Sequence, residues 1–184
     1  MGNLMWLWIT LGSVLFASVV LLTWYFVILG VFNKICVETK NILIEIDEVI
    51  EKKQVVLDQL MKLLSNRLNA EIKKEISQMA LKVNQSKDLI HEKEMISDNL
   101  SLIVRLIEEQ VIDDVELSNN THLQTYLDEW TILEESLQVI RIAYNSKVSK
   151  YNKQIVGFPT RIVAKLNHLN RLEFFESNLM YVTA

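Results

Sequence analysis

The sequence predicts an all-α protein in which one N-terminal transmembrane helix continues into an antiparallel up-down bundle of about four helices. Three observations carry this reading. The 184 residues include only four glycines and one proline, whereas a β-rich chain needs many turns built from Gly, Pro, Asn and Asp. No side chain from Met1 to Phe32 is charged. Past residue 33, apolar residues recur in alternating steps of three and four, which is the period of a helix. The chain therefore divides into an anchor, residues 1–32, and a bundle, residues 33–180.

The anchor comes first. An uncharged apolar run of about 18 residues or more is a transmembrane candidate. Trp6 and Trp8 stand near one end of this run, and Trp24 and Tyr25 near the other. At 1.5 Å per residue Trp6 and Trp24 are about 27 Å apart, close to the thickness of a hydrocarbon core. Indole and phenol rings prefer the two membrane interfaces, so these four residues read as aromatic belts. A cleavable signal peptide would need a basic n-region, a shorter apolar core and a small-residue cleavage site. None of these stands here. Lys34, Lys40, Lys52 and Lys53 follow the run, while no Lys or Arg precedes it. The positive-inside rule then places the N-terminus outside and the bundle in the cytoplasm of a single-pass cell-membrane protein. Gly12, Ser13, Ala17 and Ser18 put small residues about four apart, a spacing that lets two membrane helices approach closely and self-associate. Cys36, the one cysteine, cannot form an intrachain disulfide. It reads either as a lone thiol at the membrane boundary or as an S-acylation site.

The bundle follows as a series of seams. Ile35, Thr39, Ile42, Ile46, Val49, Lys53, Val56, Leu60 and Leu63 form the first, interrupted only by Thr39 and Lys53. No Pro or Gly lies between Phe32 and Leu64, so a single helix should leave the membrane and enter the bundle. Ser65, Asn66 and Asn69 mark a turn. A second seam runs through Ile72, Ile76, Met79, Val83, Ile90, Leu100, Val104, Ile107 and Val111, weakened by Ser86, Lys93 and Ser97. Asp113, Asp114, Ser118, Asn119, Asn120 and Thr121 form the next connection, with Thr121 the expected N-cap. The third seam is Leu123, Tyr126, Trp130, Leu133, Leu137, Ile140, Tyr144, Val148, Tyr151 and Ile155. Gly157, expected in the left-handed region, and Pro159 should end it. A shorter fourth helix should carry Ile162, Val163, Leu166, Leu169 and Phe174. Short connections make neighbouring helices antiparallel.

Tests for chemistry find no catalytic template. Of the three histidines, only His91 has a carboxylate three residues before it, Asp88; the residues before His122 and His168 are Asn119 and Lys165. A di-iron bundle needs two such pairs with further carboxylates from facing helices. No Gly-rich phosphate loop, nucleophile elbow or HExxH is present. The expectation is no enzyme and no cofactor. Lys and Arg are interleaved with Asp and Glu between residues 34 and 176, which reads as a solvated surface and not as a nucleic-acid patch.

The sharpest local pattern is a repeat. Tyr144-Asn145 recurs seven residues later as Tyr151-Asn152, and Phe158 follows after seven more. Two heptads put the three rings on one helix face, with the amides about 100° round. Rings packed in the seam with amides satisfying nearby groups is one reading; a polar groove for a partner is the other.

At these residues the chain resembles the LemA family. The stretch from Glu134 to Glu176 carries Arg141-Ile-Ala-Tyr144-Asn145, Val148, Tyr151-Asn152, Phe158-Pro159, Ile162-Val163-Ala164 and Phe174-Phe175-Glu176, in the family's order and spacing. The resemblance covers the C-terminal third in detail and the rest in layout. It implies a helical bundle, a single membrane pass and no established catalytic activity. It marks Arg141, Tyr144, Asn145, Tyr151, Asn152, Phe158 and Pro159 as hallmark positions. The expected role is a membrane-anchored scaffold or interaction protein, whose partners are the lipid bilayer, another protein and a second copy of itself, with no nucleic acid. The alternative is a transmembrane sensor that passes a shift from a membrane partner to the cytoplasmic bundle.

Overall fold

The computed structural model describes residues 2–65, 67, 74, 90–112 and 115–176. Among these there are five helices and no strand: α1 (Gly2–Leu63), α2 (Ile90–Ile112), α3 (Val115–Ser118), α4 (Thr121–Val156) and α5 (Thr160–Leu166). Ile72, Ile76, Met79, Val83 and Ser86 of the second seam, Asp88, the turn residues Asn66 and Asn69, and Asp113 and Asp114 lie outside the described residues.

Helix α1 runs for 62 residues without a break, as the absence of Pro and Gly after Gly30 requires. Its N-terminal part is long and apolar enough to cross a membrane, and no protein covers it. The polar hydroxyls in that part are satisfied within the helix itself. Thr10 donates to the Leu7 carbonyl at 3.0 Å, Ser18 to Val14 at 2.8 Å and Thr23 to Val19 at 2.9 Å. In hydrocarbon an unbonded hydroxyl would be costly, so this internal pairing suits a lipid surrounding.

The chain forms two compact units. One consists of Met1–Lys40 with Lys147–Leu172. Its core is Phe32, Ile35, Tyr151 and Ala164, with Ile28, Ile155, Leu169 and Leu172 packed against it. Phe32 meets Tyr151 edge to face with centroids 5.6 Å apart. Glu38 pairs with Lys147 at 2.5 Å. These contacts run in opposite chain directions, so α1 and α4 are antiparallel here.

The other unit consists of Asn41–Ser146 with Glu173–Ala184. Ile46, Val56 and Leu60 of α1, Leu100, Val104 and Ile107 of α2, and Leu123 and Leu137 of α4 are buried in it. Helices α2 and α4 are antiparallel, since Ser97 meets Arg141 and Ser101 meets Glu134. By contrast α1 and α2 run parallel: Asp47 pairs with Lys93 and Lys53 with Ser101. Residues 64–89 separate these two helices, so the short-connection rule that makes successive helices antiparallel does not govern them.

Local expectations are corrected at five points. The cap of α4 is Asn120, not Thr121. The Asn120 side-chain oxygen accepts from the backbone N–H of His122 at 3.0 Å and of Leu123 at 3.2 Å, which are two of the orphan donors of a helix start. The first seam closes on Leu64, buried in the turn after α1, while Leu63 is exposed. Residues 115–118 of the second connection form the one-turn helix α3. Gly157 does not have positive φ; it continues the last turn of α4, its N–H donating to the Lys153 carbonyl at 3.0 Å. Helix α5 stops at Leu166, leaving Leu169 and Phe174 outside it. The stop is a Schellman motif: Leu169 N–H reaches the Ala164 carbonyl at 3.0 Å and His168 N–H the Lys165 carbonyl at 3.2 Å. His168, with φ 52°, holds the left-handed position that glycine usually fills.

Candidate functional site

The polar residues that interrupt the apolar seams of the second unit are buried and bonded to one another's helices. Lys53 of α1 has 0% exposure. A buried ammonium must be paired, because an isolated one would be strongly destabilising. Its Nζ lies 2.7 Å from Glu134 Oε1 and donates to Ser101 Oγ at 3.1 Å. It also stands 4.5 Å from the centre of the Trp130 ring, a cation–π contact. Trp130 and Glu134 are one helical turn apart on α4 and so present one face to the lysine. The Ser101 hydroxyl also lies against Glu134 Oε1 and the Ser97 carbonyl. Burial pushes the Lys53 ammonium below its ordinary value, and Glu134 opposes that shift.

One turn back along α2, Ser97 is buried and accepts from Arg141 Nη2 at 2.7 Å. The Arg141 guanidinium lies over the Phe175 ring, 4.9 Å from its centre. Its Nε is buried without a hydrogen-bond partner. Burial lowers the Arg141 pKa, and Asp98, Glu134 and Glu94 oppose the shift. Glu94 accepts from the Glu176 backbone N–H and from His91 at 3.2 Å.

The chain after α5 is not helical, so its backbone groups need other partners. In this unit Asn145 supplies them. Its Nδ2 donates to the Phe175 carbonyl and its Oδ1 accepts from the Phe175 N–H, both at 2.8 Å. Tyr144 beside it is buried, donates to the Glu173 carbonyl at 3.1 Å, and meets Phe175 edge to face. Burial pushes the Tyr144 phenol up to about 12, with Glu173 and Glu94 adding to the shift.

The first unit repeats the device with the second Tyr-Asn pair. Asn152 Nδ2 donates to the Leu172 carbonyl at 2.8 Å, and Asn152 Oδ1 accepts from the Leu172 N–H at 2.9 Å. Tyr151 is buried against Phe32, and burial raises its pKa. The Glu38 carboxyl is held below the usual range by its hydrogen bond from Lys147. Asn167 Nδ2, just past α5, lies 2.9 Å from the Tyr25 hydroxyl.

The hallmark residues therefore separate by task. Tyr144 and Tyr151 pack, Asn145 and Asn152 clamp backbone, and Arg141 joins the polar network. Phe158 does not continue the heptad of the two tyrosines. Helix α4 ends at Val156, so Phe158 falls in the turn before Pro159 with its ring 87% exposed. Of the expected belt residues, Trp6 and Trp8 are exposed, and Trp24 and Tyr25 are half-buried. Lys53, Glu134, Ser97 and Ser101 were missed as a group. The available signal was the placement of Lys53 and Ser97 at seam positions, where an ionic residue must find a partner.

Among the described residues, no three His, Cys, Asp or Glu side chains are placed to hold a metal ion. The network binds protein groups of α1, α2 and α4 to one another. The model of the LemA family matches residues 42–181. That is wider than the C-terminal third in which the resemblance is plain to the eye. No curated protein matches the chain.

Proposed function

Because the chain belongs to the LemA family, and because its long first helix leaves an apolar segment bare, we propose that it is a non-catalytic, membrane-anchored interaction protein. The observation that carries this reading is the uncovered stretch of α1 in a helix that runs on unbroken to Leu63. Exposed Leu and Phe side chains in such number are unstable in water and at home in hydrocarbon. The bundle is held on the cytoplasmic side, a reading supported by Lys34 and Lys40 just past the apolar run.

A partner protein is supported by a second surface. Ile132, Val139 and Ile142 on α4 are each more than half exposed. Their spacing of seven and three sets them on one helix face. An apolar stripe on an otherwise charged helix is a common mark of a protein contact. The polar network and the Asn145 clamp lie in the same unit as that stripe and brace the part of α4 that presents it.

The test is site-specific photo-crosslinking in intact membranes, with the crosslinker at position 139 and, as control, at Glu129, exposed on α4 but rotated off the stripe. The reading expects a discrete adduct at 139 that is reduced by Ile132→Asp and absent at 129. Equal, diffuse labelling at both positions would remove the stripe as a binding face.

A further inference from the structure

We propose that the turn and short helix from Phe158 to Leu166 form a second membrane contact, lying in the headgroup layer of the same bilayer that α1 crosses. The proposal rests on the anchor reading above and adds to it a lipid-facing surface outside the spanning helix.

The register within the first unit sets the depth. Lys147 pairs with Glu38, Tyr151 with Phe32, and Ile155 and Ile28 pack on the same core cluster. Each step toward the end of α4 is thus a step toward the membrane end of α1. Continued past Val156, the same antiparallel register brings Phe158 level with Trp24 and Tyr25, the inner aromatic belt. The hydrogen bond between Asn167 and Tyr25 pins the other end of α5 at that same level.

The surface at this level has interfacial chemistry. Phe158 is 87% exposed, Leu166 66% and Ile162 48%. Ile162 and Leu166 are one turn apart on the face opposite the buried Val163 and Ala164. Arg161 and Lys165, also exposed, border that stripe. From Lys147 to Leu172 the chain carries Lys147, Lys150, Lys153, Arg161, Lys165 and Arg171 and no Asp or Glu. The interleaving of charges gives way to cations alone in this segment, whereas residues 106–140 carry Asp and Glu with no Lys or Arg. Apolar side chains flanked by cations match an anionic headgroup layer, with rings and aliphatics at the acyl boundary and Lys and Arg on phosphates. A water-facing loop would be strained by the first feature, and a protein groove would leave the cations unexplained.

The experiment places nitroxide labels on single cysteines in a Cys36→Ala background of the full chain. Val14→Cys reports the span, Phe158→Cys the proposed contact, and Ile142→Cys an exposed site on α4. The protein is reconstituted in phosphatidylcholine vesicles with and without phosphatidylglycerol, and collision with oxygen is compared with collision with a water-soluble nickel chelate. The expected result is oxygen favoured at 14 and 158 and nickel favoured at 142, with several-fold protection from nickel at 158 relative to 142. Arg161→Gln/Lys165→Gln should reduce the protection at 158 in the anionic vesicles. Lipid exposure at 14 with full nickel access at 158 overturns the proposal while leaving the anchor intact. Nickel access at 14 removes the anchor and the proposal together. Dipolar broadening at 158 that disappears on dilution with unlabelled protein assigns the surface to a second copy and also overturns it.

Discussion

Asn145 closes a ring of two hydrogen bonds on the backbone of Phe175, donating to its carbonyl and accepting from its N–H, each at 2.8 Å. A primary amide carries the same donor and acceptor pair as a peptide group, so it can stand in for the neighbouring strand that residue 175 lacks. Asn145→Ala removes both bonds. At about 1 kcal/mol each the loss is roughly 2 kcal/mol. Asn145→Asp should be worse than Ala, since it sets a carboxylate against the Phe175 carbonyl. Urea unfolding of the full chain in detergent reads both.

The Lys53–Glu134 pair should respond asymmetrically to truncation. Lys53 is fully buried while the Glu134 side chain keeps 33% of its exposure. Glu134→Ala strands a buried ammonium and should destabilise toward the 3–5 kcal/mol found when one partner of a buried pair is removed. Lys53→Met leaves a carboxylate that water can reach and should cost about 1–2 kcal/mol at most. Lys53→Met/Glu134→Leu should recover most of the loss caused by Glu134→Ala. Equal effects of the two single changes would show that the burial of Lys53 is not what makes the pair matter.

Tyr144 predicts an alkaline loss of stability. Burial pushes its phenol up to about 12, above the ordinary value near 10. The folded state therefore holds the phenol proton more tightly than the unfolded state. The stability this adds is fully present below pH about 10 and is lost as pH rises toward about 12. Tyr144→Phe lacks the titration and, at neutral pH, also the hydrogen bond to the Glu173 carbonyl. Its urea midpoint should lie below the wild-type value at neutral pH, and the two should converge as pH approaches 12.

His168, after α5, holds the positive φ that was expected of Gly157 at the end of α4. A non-glycine residue there carries about 1–2 kcal/mol of backbone strain, less for histidine than for a β-branched residue. His168→Gly should raise stability by up to about 1 kcal/mol, and His168→Val should lower it. Gly157 behaves differently. A Cβ there would meet the Lys153 carbonyl oxygen at 3.1 Å, so Gly157→Val should be destabilising through crowding, with no left-handed backbone involved.

Tyr151 packs on Phe32 at 5% exposure. Tyr151→Ala should cost about 3–5 kcal/mol, the range for truncating a large buried ring. A near-neutral result would move this ring from packing to recognition.

The long helix, the uncovered span and the third seam were legible because each rests on period and composition over many residues. Leu123, Trp130, Leu137, Tyr144, Val148 and Tyr151 all stand where the heptad puts them. What was not legible depends on contacts between residues distant in sequence. Lys53 and Ser97 read as blemishes in a seam until Glu134 and Arg141 are seen beside them. Asn145 and Asn152 could be recognised as paired but not as clamps, because their partners lie 30 and 20 residues away. Helix ends failed for a local reason: Asn120 and Thr121 are both good caps, and His168 took a conformation that composition assigns to glycine.

The central claim is a single membrane pass with the bundle on the cytoplasmic side. The most direct measurement is thiol labelling of the full chain in intact cells with a membrane-impermeant maleimide, using Asn3→Cys and Ser65→Cys separately in a Cys36→Ala background. The account predicts that position 3 is labelled from outside and that position 65 is labelled only after permeabilisation, with both variants retained in the membrane at alkaline carbonate. Labelling of position 65 in intact cells would contradict the orientation, and release by carbonate would contradict the anchor.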